Sequence, residues 1–332
     1  MRAMIVVKIF GIIEYYWDIC KPKNKKSKEM KRHFIFALCL MLAVWVQAQD
    51  LVVGSYNIRN ENRGDYKNGD GWKDRYVYLC DQIAFESPDL FGTQECLKKQ
   101  IDDMLGRLDE YAFIGVGRED GKEGGEYSPV FYKKDRFTLL DSGTFWLAED
   151  PTQPVMGWDA ACKRVCTWGH FKDKVTKRTF YFFNTHMDHI GVTARREGAR
   201  LIVAKMQELM TKKDPVILTG DFNVDQTSEP YRVFTESGFL KDCYESATYK
   251  FAPIGTFNDF DIQKFTNSRI DHIFVSKSFK VDRYGVLTDS YWKEVKDAKE
   301  EKAGAAPQEI SFKKYQRHSP SDHYPIMAKL RF

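Results

Sequence analysis

The sequence predicts an α/β fold in which two helix layers enclose two packed β-sheets. Three observations carry this. From Asp50 the chain alternates strand, helix, strand, helix. From Tyr127 to His186 it changes to long β-rich runs separated by turns. A helix with one apolar face, Thr193 to Leu209, then leads into the buried run V-I-L-T that starts at Val216.

Taken in order, Asp50 to Ile58 alternates and reads as the first strand, with Asn57 at its end. Lys73 to Phe85 has Val77, Leu79, Cys80, Ile83 and Ala84 at helical spacing, and Pro88 closes it. Leu90 to Thr93 is a short strand ending in Gln94-Glu95, followed by a helix over Leu97 to Leu108 and a strand over Ala112 to Val116. The runs S-P-V-F-Y-K-K, F-T-L-L-D-S-G-T-F-W, V-C-T-W-G-H-F and R-T-F-Y-F-F-N-T-H read as mostly antiparallel strands. The Pro- and Gly-rich loop Leu147 to Lys163 carries Trp158, either a plug on the scaffold or a stacking platform for a ligand. Tyr291 to Phe312 is a charge run expected as a solvated surface helix or loop.

The 332 residues suffice for one large domain, expected over 50–332 and as a monomer. Lys31 and Arg32 precede the apolar run Phe34 to Val46, and Val46-Gln47-Ala48 fits a signal-peptidase site. Residues 30–48 are therefore expected to be a secretory signal, with no stable membrane anchor and a periplasmic or extracellular destination. Residues 1–29 read as an upstream extension before a start at Met30. Nine of the 51 Lys/Arg and three of the 47 Asp/Glu precede Asp50, leaving 42 against 44, a net −2 where the full chain has +4. That balance gives no support for strong non-specific duplex binding. Cys80, Cys96, Cys162, Cys166 and Cys243 remain after the leader, an odd number whose spacing fits neither a zinc site nor a dense disulfide framework.

The stretch V-I-L-T-G-D-F-N ends a strand with Asp221 and Asn223, which share a side if the backbone stays extended. Similar tips follow other apolar runs: S-Y-N-I-R with Asn57, G-T-Q-E with Glu95, N-T-H-M-D-H with His186 and Asp188, S-R-I-D-H-I-F with Asp271, and S-P-S-D-H-Y-P with Asp322 and His323. In this order the motifs resemble the endonuclease/exonuclease/phosphatase superfamily, which includes DNase I-like nucleases, inositol-polyphosphate 5-phosphatases, neutral sphingomyelinases and deadenylase-like exonucleases. The resemblance covers about the whole chain after the leader. It implies a four-layer αββα sandwich of two mixed β-sheets flanked by helices, with the site where strand ends converge.

The resemblance also implies roles. Glu95 is the expected ligand of Mg²⁺, with Mn²⁺ as the alternative; Asn57 orients that carboxylate or contacts the metal, and Asp322 is the second carboxylate on the metal side. His323, held by Asp271, serves acid/base chemistry or charge stabilisation, while His272 on the next position points to the other face. Asp221 orients or deprotonates the attacking water with Asn223 beside it, His186 donates to phosphate, and Glu126 supports His186. Trp158 and Arg195 are candidate substrate contacts. No role is expected for His170 or His318.

These expectations point to an exported phosphoesterase. The extracytoplasmic members that the chain most resembles are related to deadenylase-like exonucleases, which puts nucleic acid or a nucleotide first among substrates. A phospholipid or sugar-phosphate phosphodiesterase comes second, since no long apolar hairpin is visible for membranes. A binder of an anionic ligand without turnover is the reading from another class.

Overall fold

The computed structural model describes residues 50–332 apart from 211–213, 254, 265, 303, 305, 306 and 308. The expected extension and signal peptide lie outside the described residues. Residues Asp50–Phe332 form one compact unit. It opens with β1 (Asp50–Asn57), α1 (Trp72–Glu86), β2 (Leu90–Gln94), α2 (Lys98–Leu105), β3 (Tyr111–Ile114), β4 (Val130–Lys133), β5 (Phe137–Trp146), β6 (Val165–Asp173) and β7 (Thr179–His186). It continues with α3 (Val192–Leu209), β8 (Val216–Asp221), α4 (Glu229–Thr235), β9 (Leu240–Asp242), α5 (Cys243–Ser246), β10 (Tyr249–Phe251), β11 (Asp271–Ser276) and β12 (Lys280–Val286). It closes with β13 (Tyr291–Glu294), β14 (Glu301–Lys302), β15 (Ser311–Phe312), β16 (Tyr315–His318) and β17 (Ile326–Arg331).

Two large mixed sheets result, ordered β10-β12-β17-β1-β2-β4-β3 and β5-β6-β7-β8-β11-β9. Leu51, Val53, Leu90 and Val130 of the first meet Phe137, Phe171, Phe182, Ile217 and Ile273 of the second in the central core. On the outer face of the first sheet, Tyr56, Phe91 and Phe131 pack on Trp72, Leu79 and Ile83 of α1 and on Ile101 and Met104 of α2. On the outer face of the second, Phe183, Leu218 and Phe274 pack on Ala199, Ile202 and Met206 of α3 and on Tyr231 and Phe234 of α4. Helix, sheet, sheet, helix is the expected four-layer sandwich, because each sheet has two apolar faces to bury.

Two boundaries shift. The helix expected over Leu97 to Leu108 stops at Leu105, where Gly106 ends it, and β3 ends at Ile114. The charge run is not a helix. β13 pairs with β16, and β14 with β15. Tyr291 anchors the first pair by stacking on Tyr78 of α1 at 3.9 Å. Its outer side exposes Trp292 across from Arg317 and Tyr315 across from Glu294, a mixed surface and not an apolar one. Among the described residues no helix is long and apolar enough to cross a membrane.

The sheets are joined by a polar layer just under the strand tips. Asn184 of β7 donates to the carbonyls of Thr93 and Pro129, at 2.7 and 2.9 Å, and accepts from Gln94 and Thr219, at 2.7 and 3.0 Å. All four hydrogen-bonding positions of this carboxamide are filled, with no exposure to solvent. Gln94 reaches on to Ser55 at 3.2 Å. Ser55, Asn184 and Thr219 each stand two residues before a strand-end candidate, Asn57, His186 and Asp221, so strand periodicity stacks the tip directly on this layer.

Gly92 sets the spacing. A Cβ there would lie 2.1 Å from Asn184 Oδ1 and 2.4 Å from Thr219 Oγ1. Gly92→Ala is expected to cost about 1–3 kcal/mol through overpacking, read as a lower urea midpoint. An unchanged midpoint would mean that the sheets separate freely at this level.

Candidate active site

Register brings the tips together. β1 runs parallel to β2 with Asn57 beside Gln94, β7 runs parallel to β8 with His186 beside Asp221, and β11 runs antiparallel to β8 with Asp271 opposite Asp221. The turn before β17 supplies Asp322 and His323, and Ser321 Oγ donates to the Asn57 carbonyl at 2.7 Å. Beneath that turn lies Arg75 of α1, fully buried. Its guanidinium donates to the carbonyls of Ile58, Arg59, Asp70 and Pro320, at 2.6 to 3.1 Å. This one side chain fastens the loops after β1 and before β17 to the same point.

A cavity of about 580 Å³ opens over these tips, and its walls include Glu95, Asp221, Asn223, His186, Asp322 and His323. His323 Nδ1 lies 2.9 Å from Asp271 Oδ2, and Nε2 lies 3.7 Å from Asp221 Oδ2. Burial opposes charge on this imidazole, but Asp271, then Asp221, outweigh burial and push its pKa up to about 10. Burial and the neighbouring Asp271 charge together push Asp221 up to about 7. A carboxylate poised near neutrality beside a charged imidazole suits proton transfer to and from water.

Asn223 reaches the site differently from the expected extended backbone. It adopts a left-handed conformation with φ of 50°, donates its own N–H to Asp221 Oδ1 at 3.0 Å, and points Nδ2 at His186 Nε2, 3.1 Å away. An amide nitrogen only donates, so Nε2 accepts and the proton of neutral His186 sits on Nδ1. Burial first, then the charges of Arg164 and Arg118, hold His186 well below its ordinary value. Any donation from His186 to phosphate therefore comes from Nδ1.

The metal-side residues also differ in part from expectation. Asn57 turns its NH₂ toward Glu95 Oε1 and Asp221 Oδ2, at 3.1 and 2.9 Å, and so orients both carboxylates, while its Oδ1 accepts the Arg59 N–H at 3.0 Å. Glu95 also accepts the Asn60 N–H at 3.1 Å. Burial raises the Glu95 pKa, yet the bonds from Asn60 and Asn57 and the His323 and Arg59 charges bring it below the usual range. Burial, and repulsion from Glu95, raise Asp322. Arg59 Nη1 lies 4.0 Å from Glu95 and 3.7 Å from Asp322. Two buried carboxylates that repel each other, with one half-open arginine between them, form a hard-oxygen donor set that fits a divalent cation. Asp221, Asp271 and His323 also have ligand atoms within 4.8 Å of one another. Their short internal hydrogen bond suits a proton-handling group better than a ligand set.

Other expected residues lie elsewhere. Glu126 lines the cavity but is paired with Arg118 Nη1 at 2.6 Å and Asn60 Nδ2 at 3.0 Å, and His186 Nδ1 has no hydrogen-bond partner. Trp158 and Arg195 do not line the cavity. The Trp158 N–H donates to Glu149, and Arg195 Nη1 donates to the Asp188 carbonyl at 3.1 Å. Next to Trp158, Asp159 accepts the N–H groups of Thr193 and Ala194, so this loop serves to cap α3. His170 stacks on Tyr181, and His318 pairs with buried Asp70 at 2.9 Å. All five described cysteines are free. Sequence reasoning missed Arg59, Arg75, Arg118 and Arg164, whose single letters look like ordinary surface charge.

Two outcomes are expected. His323→Ala should lower kcat on a simple phosphate ester about 100-fold or more, and a loss below about threefold would remove His323 from the chemistry. His272 donates from Nε2 to the Val224 carbonyl at 3.0 Å, and burial holds its pKa below the ordinary 6.5. Its contribution to stability is present above about 6.5 and lost as pH falls, because the unfolded chain then takes up a proton that the folded imidazole refuses. In urea titrations His272→Gln should lose less stability than the parent between about pH 7.5 and 5. An equal loss would show that His272 is not held neutral.

The model of the Endonuclease/Exonuclease/phosphatase family matches residues 54–323. A mannosyl-6-phosphatase structure from Bacteroides thetaiotaomicron VPI-5482 is 49% identical, covers 85% of this chain and 100% of that chain, and superposes with a TM-score of 0.79. A structure from Bacteroides vulgatus, described by the family name alone, is 38% identical over 85% of this chain and 99% of that chain, with a TM-score of 0.72. Human Nocturnin's catalytic domain, 19% identical over 86% of this chain and 94% of its own, shares the fold with a TM-score of 0.60. The matched span begins inside β1 and ends at His323, enclosing every strand tip that forms the cavity, and the chain accordingly belongs to the Endonuclease/Exonuclease/phosphatase family as a metal-dependent hydrolase of phosphate esters.

Proposed function

We propose that this protein is an exported phosphomonoesterase that removes phosphate from phosphorylated sugars, using Mg²⁺ or Mn²⁺. The observation that carries this reading is the 49% identity with a mannosyl-6-phosphatase structure, 100% of whose chain is covered. It reverses the order that the motifs alone favoured, in which nucleic acid came first. The cavity agrees in character: Arg59, Asn60, Asp65, Asn68, Glu126 and Asp259 surround it with donors and acceptors of the kind that sugar hydroxyls use. The leader's charge and apolar pattern supports export.

In this reading Glu95 and Asp322 hold the cation, which when bound neutralises charge on the phosphoryl oxygens. Asp221 takes a proton from the attacking water, Asn223 fixes the Asp221 carboxylate through its N–H, and His323, kept charged by Asp271, stabilises the charge that develops. The water oxygen joins phosphorus, the P–O bond to the sugar breaks, and the sugar oxygen takes up the proton that Asp221 removed from the water, so the products are the free sugar and inorganic phosphate and Asp221 is again a carboxylate.

A second reading keeps a nucleotide as substrate. Phe257, 38% exposed, and Phe260 both line the cavity and offer flat apolar surface to a base. One panel separates the two: mannose 6-phosphate, other hexose phosphates, nucleoside monophosphates, an oligonucleotide and a phospholipid, each with Mg²⁺, Mn²⁺ or EDTA. The expected result is phosphate release from mannose 6-phosphate with kcat/KM roughly tenfold or more above any nucleotide, abolished by EDTA and restored by metal. Fastest turnover of the oligonucleotide, with release of nucleoside monophosphates, would replace it with the second reading.

A further inference from the structure

One corner of the cavity is built but not used by the catalytic set. Arg164, the residue before β6, has a side chain only 5% exposed, yet it forms part of the cavity wall. Its Nη2 donates to His189 Nδ1 at 3.0 Å, its Nε lies 3.5 Å from Asp188 Oδ2, and its Nη1 has no hydrogen-bond partner. Asp188 is in turn fixed by the N–H groups of Ile190, Gly191 and Ala161, at 2.9, 2.7 and 3.1 Å. A buried carboxylate spending three backbone donors to aim one arginine is a preorganised arrangement.

The ligand atoms of Cys162, Asp188 and His189 lie within 4.8 Å of one another. Arg164 nevertheless bonds to His189 and faces Asp188, so a positive charge already sits where a cation would go. The corner suits an anion. Arg118 and His186 stand with Arg164 in the wall of the main cavity. Arg118 Nη1 is taken by Glu126, but its Nε and His186 Nδ1 have no hydrogen-bond partner. Donors without acceptors on buried Arg164 and His186 and on half-buried Arg118 therefore belong to the wall of one cavity, and leaving a buried donor so is costly unless a ligand supplies an oxygen atom.

We propose that Arg164, with Arg118 beside it, binds the non-bridging oxygens of a terminal phosphate and makes the site prefer phosphomonoesters to phosphodiesters. A monoester dianion brings an anionic oxygen where a diester carries its second ester arm. The guanidinium corner rewards that oxygen and leaves buried Arg164 and half-buried Arg118 where the extra arm would need room. Arg164 is a specificity residue here, and Asp188 a positioning residue that acts through it. The inference rests on the phosphomonoesterase reading above and assigns its selectivity to named groups.

The test compares the metal-loaded parent with Arg164→Met and Arg164→Lys, using p-nitrophenyl phosphate, bis(p-nitrophenyl) phosphate and mannose 6-phosphate, with inorganic phosphate as competitive inhibitor. Arg164→Met should lower the ratio of monoester to diester kcat/KM roughly tenfold or more and raise the Ki of phosphate by a similar factor, with Arg164→Lys between it and the parent. An unchanged ratio and Ki in a variant with the parent's melting temperature would overturn the proposal. So would a rise in KM confined to mannose 6-phosphate, which would make Arg164 a sugar contact. If Arg164→Met does not fold, Arg164→Lys decides, because it keeps a positive partner for Asp188 while losing the planar fork. If the parent turns over no monoester, the reading of function fails. Calorimetric binding of inorganic phosphate to parent and Arg164→Lys then still tests the corner, with equal affinities sinking it.

Discussion

The arrangement depends first on a single carboxamide. Apolar packing alone would hold two sheets face to face in several registers, since it rewards area and not alignment. Asn184 removes that freedom by binding the Thr93 and Pro129 carbonyls of one sheet while accepting from Thr219 of its own and from Gln94 across the gap. A slip of one residue would leave several buried polar atoms unpaired at once. Gly92 is the other half of this constraint, because its missing side chain is what lets the carboxamide come so close. The tips above inherit their alignment from this layer.

Directly above it the balance of charge is reversed. Glu95, Asp221, Asp271 and Asp322 are all buried or nearly so around one imidazole, with Arg59 at the rim. Such a cluster is poor as a contribution to stability, since each carboxylate loses water and faces others of its sign. The raised pKa values of Asp221 and Asp322 are the visible sign of that deficit. The layer below, centred on the fully bonded Asn184, makes the unsatisfied one above tolerable, as expected where a fold gives up local stability for chemistry.

The layers and strand tips were legible because they are written in local pattern: period two in β1, continuous β-rich runs in β7 and β8, helical spacing in α1 and α3, and a polar residue after each apolar run. The Asp271–His323 contact, 2.9 Å in the structure, came from the family resemblance and not from local pattern. What was not legible depends on distant backbone. Arg75 looks like a solvated helix residue until the carbonyls of Ile58, Arg59, Asp70 and Pro320 converge on it. Asn223 was read as extended because a strand precedes it, but its N–H bond to Asp221 turns it into the left-handed region. Glu126 was matched to His186 by motif, whereas Arg118 offers it the stronger charged bond. Arg195 stood close in sequence to the N-T-H-M-D-H tip and Trp158 was weighed as a stacking platform on its loop, and neither lines the cavity. Tyr291 to Phe312 read as solvated because charge dominates it, while the cross-strand partners that make strands of it are set by chain return.

The loop carrying Phe257 and Phe260 shows why the cavity wall and the catalytic turn behave as one unit. Asp259 and Phe260 both have positive φ, 55° and 56°, a conformation that bulky L-residues avoid and that costs about 1–3 kcal/mol each. Opposing that strain, Asn258 and Asp259 donate their N–H groups to the Asp322 carbonyl, and the Phe260 ring lies over Arg75 at 5.5 Å. Phe257 pairs with His323 through a backbone bridge and sets its ring edge-on to the imidazole at 5.0 Å. The same groups that hold Asp322 and His323 therefore hold the aromatic wall. Because this wall cannot move without disturbing the catalytic turn, substrates of this scaffold are distinguished by which fixed side chains they meet.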